Sequence, residues 1–241
     1  MPLPASTPPM TCAPGFVAIA EDACLETPIA DPAEKKPVPL LLYLHGLYQP
    51  EQMGEELARQ ERVGKHARER GVAVLALRGE MGICDVHGDR VGWVCWPSNE
   101  HVAYRAREVV ASWKAPIAKA RAQVGNGPTY VLGFSNGAYF AGLLAVRDLF
   151  PADAFVVAQG GDVEPVHALG NKRPLLLLST DNEAPTVLAE MERFASALAA
   201  DGWSFVEEER PGGHELTDED VDAALDFLLA SGAHPHTAAN R

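Results

Sequence analysis

The chain has 241 residues, 47% of them hydrophobic and 22% charged. That balance excludes an intrinsically disordered chain and a minimal metal-stapled module, and it fits one domain with its own core. Twenty Lys and Arg against 33 Asp and Glu leave a net charge of −13, which disfavours nucleic acid and anionic membrane surfaces as partners.

Residues 1–14 are rich in Pro, Ala, Ser and Thr and contain no hydrophobic signal core. They read as a flexible lead, the expected start of a mature exported chain to which an initiator Met was added. One domain is expected over 15–232 and a disordered tail over 233–241. Within the domain, residues 16–20 and 24–29 are expected to pair as a hairpin. Residues 38–44 form an apolar run ending at His45-Gly46, the pattern of a strand buried on both faces. A helix is expected over 51–70, with Gly64 as its candidate break, and a second buried strand over 72–77. Residues 78–97 hold four Gly, two Cys and two Trp and read as a loop. Asn99 is placed to cap a helix running to 124, with Pro116 as a kink and 125–128 as its stop. Further strands are expected over 129–134, 154–158, 175–179 and 203–208. Helices are expected over 136–149 and 185–200. The run Thr217-Asp218-Glu219-Asp220 resembles a capping box opening a last helix to about 230, ended by Gly232. Strand and helix alternate, and the strands are too apolar to face water. This predicts an α/β fold with a mostly parallel central sheet and helices on both faces. No apolar stretch approaches the ~20 residues that span a bilayer.

Cys12, Cys24, Cys84 and Cys95 form no CxxC motif. Four cysteines allow three connectivities, and the simplest joins the sequence-local pairs Cys12–Cys24 and Cys84–Cys95, each loop contributing about 2–3 kcal/mol. Bridged cysteines imply a secreted or periplasmic protein. Four reduced thiols would imply a cytoplasmic one.

In such sheets, ligands bind beyond the carboxyl ends of the strands. There the chain places His45-Gly46-Leu47-Tyr48, Ser135-Asn136-Gly137, Thr180-Asp181 and Gly212-Gly213-His214. A hydroxyl, a carboxylate and an imidazole meet on one edge, in the order Ser, Asp, His. Gly133-Phe134-Ser135-Asn136-Gly137 is a G-x-S-x-G match between an apolar strand and a small-residue helix. That spacing suits a tight turn that thrusts the Ser hydroxyl outward, where a side chain at either Gly would crowd the neighbouring strand and helix.

On these motifs the chain resembles the α/β-hydrolase fold family over about 38–231. It resembles most the small carboxylesterases and the esterases related to polyhydroxybutyrate depolymerase and feruloyl esterase. The resemblance implies Ser135 as nucleophile, His214 as base and Asp181 as the acid. It implies the backbone N–H groups of Leu47 and Asn136 as oxyanion donors and His45 as a structural part of that turn. Asp162, after the preceding strand, is the alternative acid. The segment between Ala158 and Pro174 leaves little room for a large lid. Tyr48, Gln49, Trp93 and Trp96 are candidates for lining a substrate pocket, Trp93 and Trp96 being equally compatible with a stapled loop and a buried Trp. Asp85, His87 and Asp89 cluster nearby, but their spacing fits no metal-ligand pattern.

The implied reaction is cofactor-free cleavage of a small or polymeric carboxylic ester by a monomer. Two other readings share these residues: a peptidase or thioesterase on the same triad, and a non-catalytic binding protein on the same fold.

Overall fold

The computed structural model describes residues 10–29, 37–84, 90, 92–98, 103–162 and 171–232. In chain order these form β1 (Val17–Ala20), β2 (Ala23–Glu26), β3 (Leu40–Leu44), α1 (Met53–Glu69), β4 (Ala73–Leu77), β5 (Glu80–Met81), β6 (Val94–Cys95), α2 (Ala106–Ser112), α3 (Lys114–Val124), β7 (Thr129–Phe134), α4 (Asn136–Val146), β8 (Ala154–Ala158), β9 (Leu175–Thr180), α5 (Pro185–Ala200), β10 (Phe205–Arg210) and α6 (Asp218–Gly232). Among the described residues, eight strands make one sheet in the order β1-β2-β4-β3-β7-β8-β9-β10. The six strands from β4 to β10 run parallel, and the β1–β2 hairpin closes one edge antiparallel. The expected mostly parallel α/β sheet is what the chain builds.

Strand periodicity explains the layering. Leu40, Leu42 and Leu44 point into a core shared with α2, α3, α4 and α5, while Leu41 and Tyr43 point into a second core shared with α1 and α6. All five are fully buried, and each Leu contributes about 1.5–3 kcal/mol of transfer free energy. The edge strand β10 differs. Its Val206, Glu207 and Glu209 are exposed, which is how charge blunts an open edge.

Several local expectations are revised. Gly64 does not break α1. It lies where a Cβ would run into the Glu26 carboxylate and the Phe16 ring, so the glycine permits close packing of the helix. The helix expected to reach 124 is split into α2 and α3 around Trp113. Pro116 lacks an N–H for the Ser112 carbonyl, and its ring crowds that turn. Asn99, its expected cap, lies outside the described residues. The capping box is present: Asp220 N–H donates to Thr217 Oγ1 at 3.2 Å and Thr217 N–H to Asp220 Oδ2 at 2.9 Å.

Both sequence-local disulfides are formed, Cys12–Cys24 with Cα atoms 5.7 Å apart and Cys84–Cys95 with Cα atoms 6.1 Å apart. The first alters the expected boundary at residue 14. Met10 N–H donates to the Glu21 carbonyl at 2.6 Å, and Met10 and Ala13 are buried, so residues 10–14 are part of the packed domain. Residues 1–9 and the expected tail at 233–241 lie outside the described residues, as do Asp85, His87, Asp89 and positions 163–170 of the segment expected to lack a lid. No helix among the described residues is long and apolar enough to cross a membrane.

Candidate active site

Ser135 is the first residue beyond β7, and its backbone sits at φ 52° and ψ −118°. A non-glycine residue there costs on the order of 1–3 kcal/mol and is held only where its surroundings impose it. The two flanking glycines make that possible. A Cβ on Gly133 would strike the Gly137 carbonyl, and one on Gly137 would strike the Leu44 and His45 carbonyls. Ser135 N–H is anchored on the Ala158 carbonyl at 2.9 Å. The side chain is thereby driven out of the turn, where its Oγ lies 2.8 Å from His214 Nε2.

His214 stands on the loop between β10 and α6, and that loop is braced at every step. Asp181 Oδ1 accepts the Gly212 N–H at 2.9 Å, and Thr180 Oγ1 donates to the Gly213 carbonyl at 3.3 Å. Gln159 Nε2 donates to the Glu215 carbonyl at 2.7 Å, and Arg62 Nη1 to the Leu216 carbonyl at 2.6 Å. The imidazole lies 5.2 Å from the Phe134 ring, centroid to centroid, and Arg59 sits 5.3 Å over the same ring.

The carboxylate that meets the imidazole is Glu183 and not Asp181. Glu183 Oε2 lies 2.6 Å from His214 Nδ1, and Glu183 Oε1 accepts the Ala184 N–H at 2.8 Å. The Glu183 side chain is 1% exposed. Asp181 is the first residue off β9 and points to Gly212 instead, so it holds the turn that carries His214. Two residues further along, the longer glutamate side chain reaches the ring. Asp162, the alternative acid, pairs with Arg193 at 2.7 Å. Glu183 and Gln159 escaped the sequence reading. Glu183 lay two positions past the expected acid, and a lone Gln after an apolar strand carries no motif.

His45 is a structural residue. It is fully buried; its Nδ1 faces the Gly46 carbonyl at 2.6 Å, and its Nε2 accepts the Gly79 N–H at 2.8 Å. Burial lowers its pKa to about 4, so the ring is neutral and acts as a brace. Leu47 follows it off β3, beside Ser135 on β7, since β3 and β7 are paired with Leu44 opposite Gly133. Asn136 opens α4, so its N–H has no acceptor within the helix.

The expected pocket wall is corrected in part. Trp96 has no exposed surface; it stacks on Phe140 at 5.6 Å and meets Trp113 edge-on at 5.8 Å. It is a core residue, because its indole completes the aromatic cluster beneath α4. Tyr48 is also buried, its ring edge-on to His45 at 4.8 Å. Gln49 and Trp93 are half-buried. Among the described residues, no group of three or more acidic, Cys or His side chains is placed to hold a metal ion.

The fold is that of the α/β hydrolases. Solved structures share it. A carboxylesterase from Bacillus cereus superposes with a TM-score of 0.62 at 16% identity, covering 87% of this chain and 93% of that one. Esterase PE8 superposes at 0.60 and 22% identity over 86% and 98% of the two chains. MGS-M1, an α/β hydrolase from a Medee basin deep-sea metagenome library, superposes at 0.60 and 14% identity over 91% and 97%. No family profile and no curated protein matches the sequence.

Proposed function

We propose that this protein is a serine hydrolase that cleaves carboxylic esters through an acyl-enzyme on Ser135. The observation that carries the reading is the continuous chain from Ser135 Oγ to His214 and from His214 to Glu183, at 2.8 and 2.6 Å. A serine hydroxyl is a weak nucleophile until a base takes its proton. His214 Nε2 is in place to take it, and then to return it to the leaving alcohol. Glu183 fixes the tautomer with the proton on Nδ1 and stabilises the imidazolium that forms. The backbone N–H groups of Leu47 and Asn136 serve the tetrahedral oxyanion, aided by the positive end of α4. Water then takes the alcohol's place, and the same imidazole activates it to release the acid.

The ester class is supported by the named activities of two structural neighbours, a carboxylesterase and an esterase, and by the open position of His214, whose side chain is 43% exposed. The chemistry is cofactor-free and the substrate is a small or polymeric ester. The two disulfides support an oxidising compartment, secreted or periplasmic.

The test is hydrolysis of p-nitrophenyl esters from acetate to long acyl chains, with Ser135→Ala as the blank. Turnover abolished in Ser135→Ala, with an unchanged melting temperature, is the expected result. Undiminished turnover in that variant refutes the nucleophile. No turnover by the unmodified protein, together with a Ser135 inert to a fluorophosphonate, would leave the binding-protein reading.

A further inference from the structure

Residues 94–98 lie between the two segments that carry the proposed oxyanion donors, and they bond to both. On one side Tyr48 and Val94 form a β-bridge. Tyr48 N–H donates to the Val94 carbonyl at 3.3 Å, and Val94 N–H to the Tyr48 carbonyl at 2.9 Å. This fixes the chain directly after Leu47. The Trp96 indole N–H donates to the His45 carbonyl at 3.0 Å, which fixes it two residues before. On the other side Trp96 N–H donates to Asn136 Oδ1 at 2.7 Å, and Asn136 Nδ2 donates to Ser98 Oγ at 2.6 Å. The Asn136 side chain is thus held from both ends while its backbone N–H remains for the oxyanion.

So short a stretch does not hold itself in place. Its own regular structure is the two-residue strand β6, which pairs with the equally short β5. What anchors it is Cys84–Cys95. Cys95 is fully buried, Cys84 is 3% exposed, and Cys84 N–H points at Cys95 Sγ at 3.1 Å. Gly79 lets the anchor seat, because a Cβ there would strike the Cys95 carbonyl, and its N–H binds His45 Nε2. Thiol–disulfide exchange needs access to a sulfur, so burial shields this bridge from exchange.

We propose that Cys84–Cys95 and the stretch Val94–Ser98 it anchors position the oxyanion hole, setting Leu47 through the Tyr48–Val94 bridge and Asn136 through its side chain. The inference rests on the reading of Ser135 as nucleophile. Oxyanion donors act because they are preorganised, and this device supplies the preorganisation from outside both donor segments. The other disulfide is the natural control. Cys12–Cys24 spans a separation of 12 residues against 11 for Cys84–Cys95, but it ties the lead segment to the edge hairpin.

The experiment compares Cys84→Ala/Cys95→Ala with Cys12→Ala/Cys24→Ala, well below both melting temperatures. The readouts are kcat and KM on p-nitrophenyl acetate and affinity for an aryl trifluoromethyl ketone, which forms a tetrahedral adduct. The Cys84/Cys95 variant is expected to lose on the order of 10²-fold in kcat, with KM unchanged and ketone affinity falling by the same factor. The Cys12/Cys24 variant should keep its kcat despite a lower melting temperature. Asn136→Ala leaves both disulfides and removes both side-chain bonds to the stretch. It should also lower kcat, and its combination with the Cys84/Cys95 change should lose less than the product of the two. An unchanged kcat in the Cys84/Cys95 variant overturns the proposal, as does an equal loss in both disulfide variants. Should the Cys84/Cys95 variant fail to fold, an unchanged kcat in Asn136→Ala overturns it. Absence of Ser135-dependent turnover in the unmodified protein overturns the functional reading as well, which separates the two failures.

Discussion

Glu183 and Asp181 follow the same strand two positions apart, and each carboxylate has its own task. Glu183 faces His214 Nδ1, whereas Asp181 holds the Gly212 N–H. Glu183→Gln keeps the shape but favours the wrong tautomer, so kcat on p-nitrophenyl acetate should fall by about 10³–10⁴. Asp181→Asn should keep most of its activity. The reverse order would restore the aspartate as the acid. Two other buried groups contribute to the pH dependence of stability with opposite signs. Burial raises Glu56 to about 8, against a pull downward from Arg59 at 3.3 Å; Tyr43 and Gln60 also face it. Between about 4.5 and 8 the folded chain keeps a proton that the unfolded chain has lost, so stability falls as pH rises through that window. His45 has the opposite sign. It is neutral when folded down to about 4, while the unfolded imidazole takes its proton near 6.5, so stability falls as pH drops between these values. Melting curves from pH ~4 to ~9 should show both flanks, and Glu56→Gln should flatten the alkaline one.

At the scale of elements, α4 and the turn before it are fitted to the sheet by glycine. A methyl at Gly137 would meet backbone carbonyls of the neighbouring β3 end, which cannot swing aside as a side chain can. Gly137→Ala should therefore cost about 1–3 kcal/mol and lower the melting temperature by several degrees. It should also reduce kcat, because the displaced segment carries His45 and Leu47. Gly54 is exposed near the start of α1, and a methyl added there would meet nothing within 4 Å. Gly54→Ala should raise stability by about 0.4–1 kcal/mol, measured by urea denaturation. Two glycines in helices thus respond with opposite sign, and only their neighbours distinguish them.

The whole molecule is strongly acidic, and its sheet ends at β10. Exposed large hydrophobic residues are scattered among the described residues, at Val17, Ile29, Met81, Tyr104 and Val206, and do not form one apolar face. With Glu207 and Glu209 outward on the open edge, edge-to-edge pairing would bring like charges together. Sedimentation velocity should show a monomer. Glu207→Val with Glu209→Val should shift it toward larger species, and an unchanged monomer in that variant would show that charge is not what protects the edge.

Most of the elements, the parallel sheet and the partners Ser135 and His214 followed from local signals, whereas the short strands β5 and β6 arise inside a stretch whose pattern reads as loop. A buried parallel strand must be apolar throughout, a nucleophile turn needs its two glycines, and the hairpin and both disulfides joined residues close in the chain. What sequence pattern left open were choices made between distant segments. Asp181 and Glu183 carry the same charge past the same strand, and only the position of the loop bearing His214 selects the glutamate. Trp96 sits in a glycine-rich loop whose pattern is equally compatible with a pocket wall and with a buried Trp, and Phe140 and Trp113 draw its indole into the core. The resemblance implies a role for the Asn136 backbone N–H, and only the packed loop shows its side chain bonded to Trp96 and Ser98. Local pattern reports which face a residue needs to bury. Which partner a polar side chain meets depends on the tertiary approach of segments far apart in the chain.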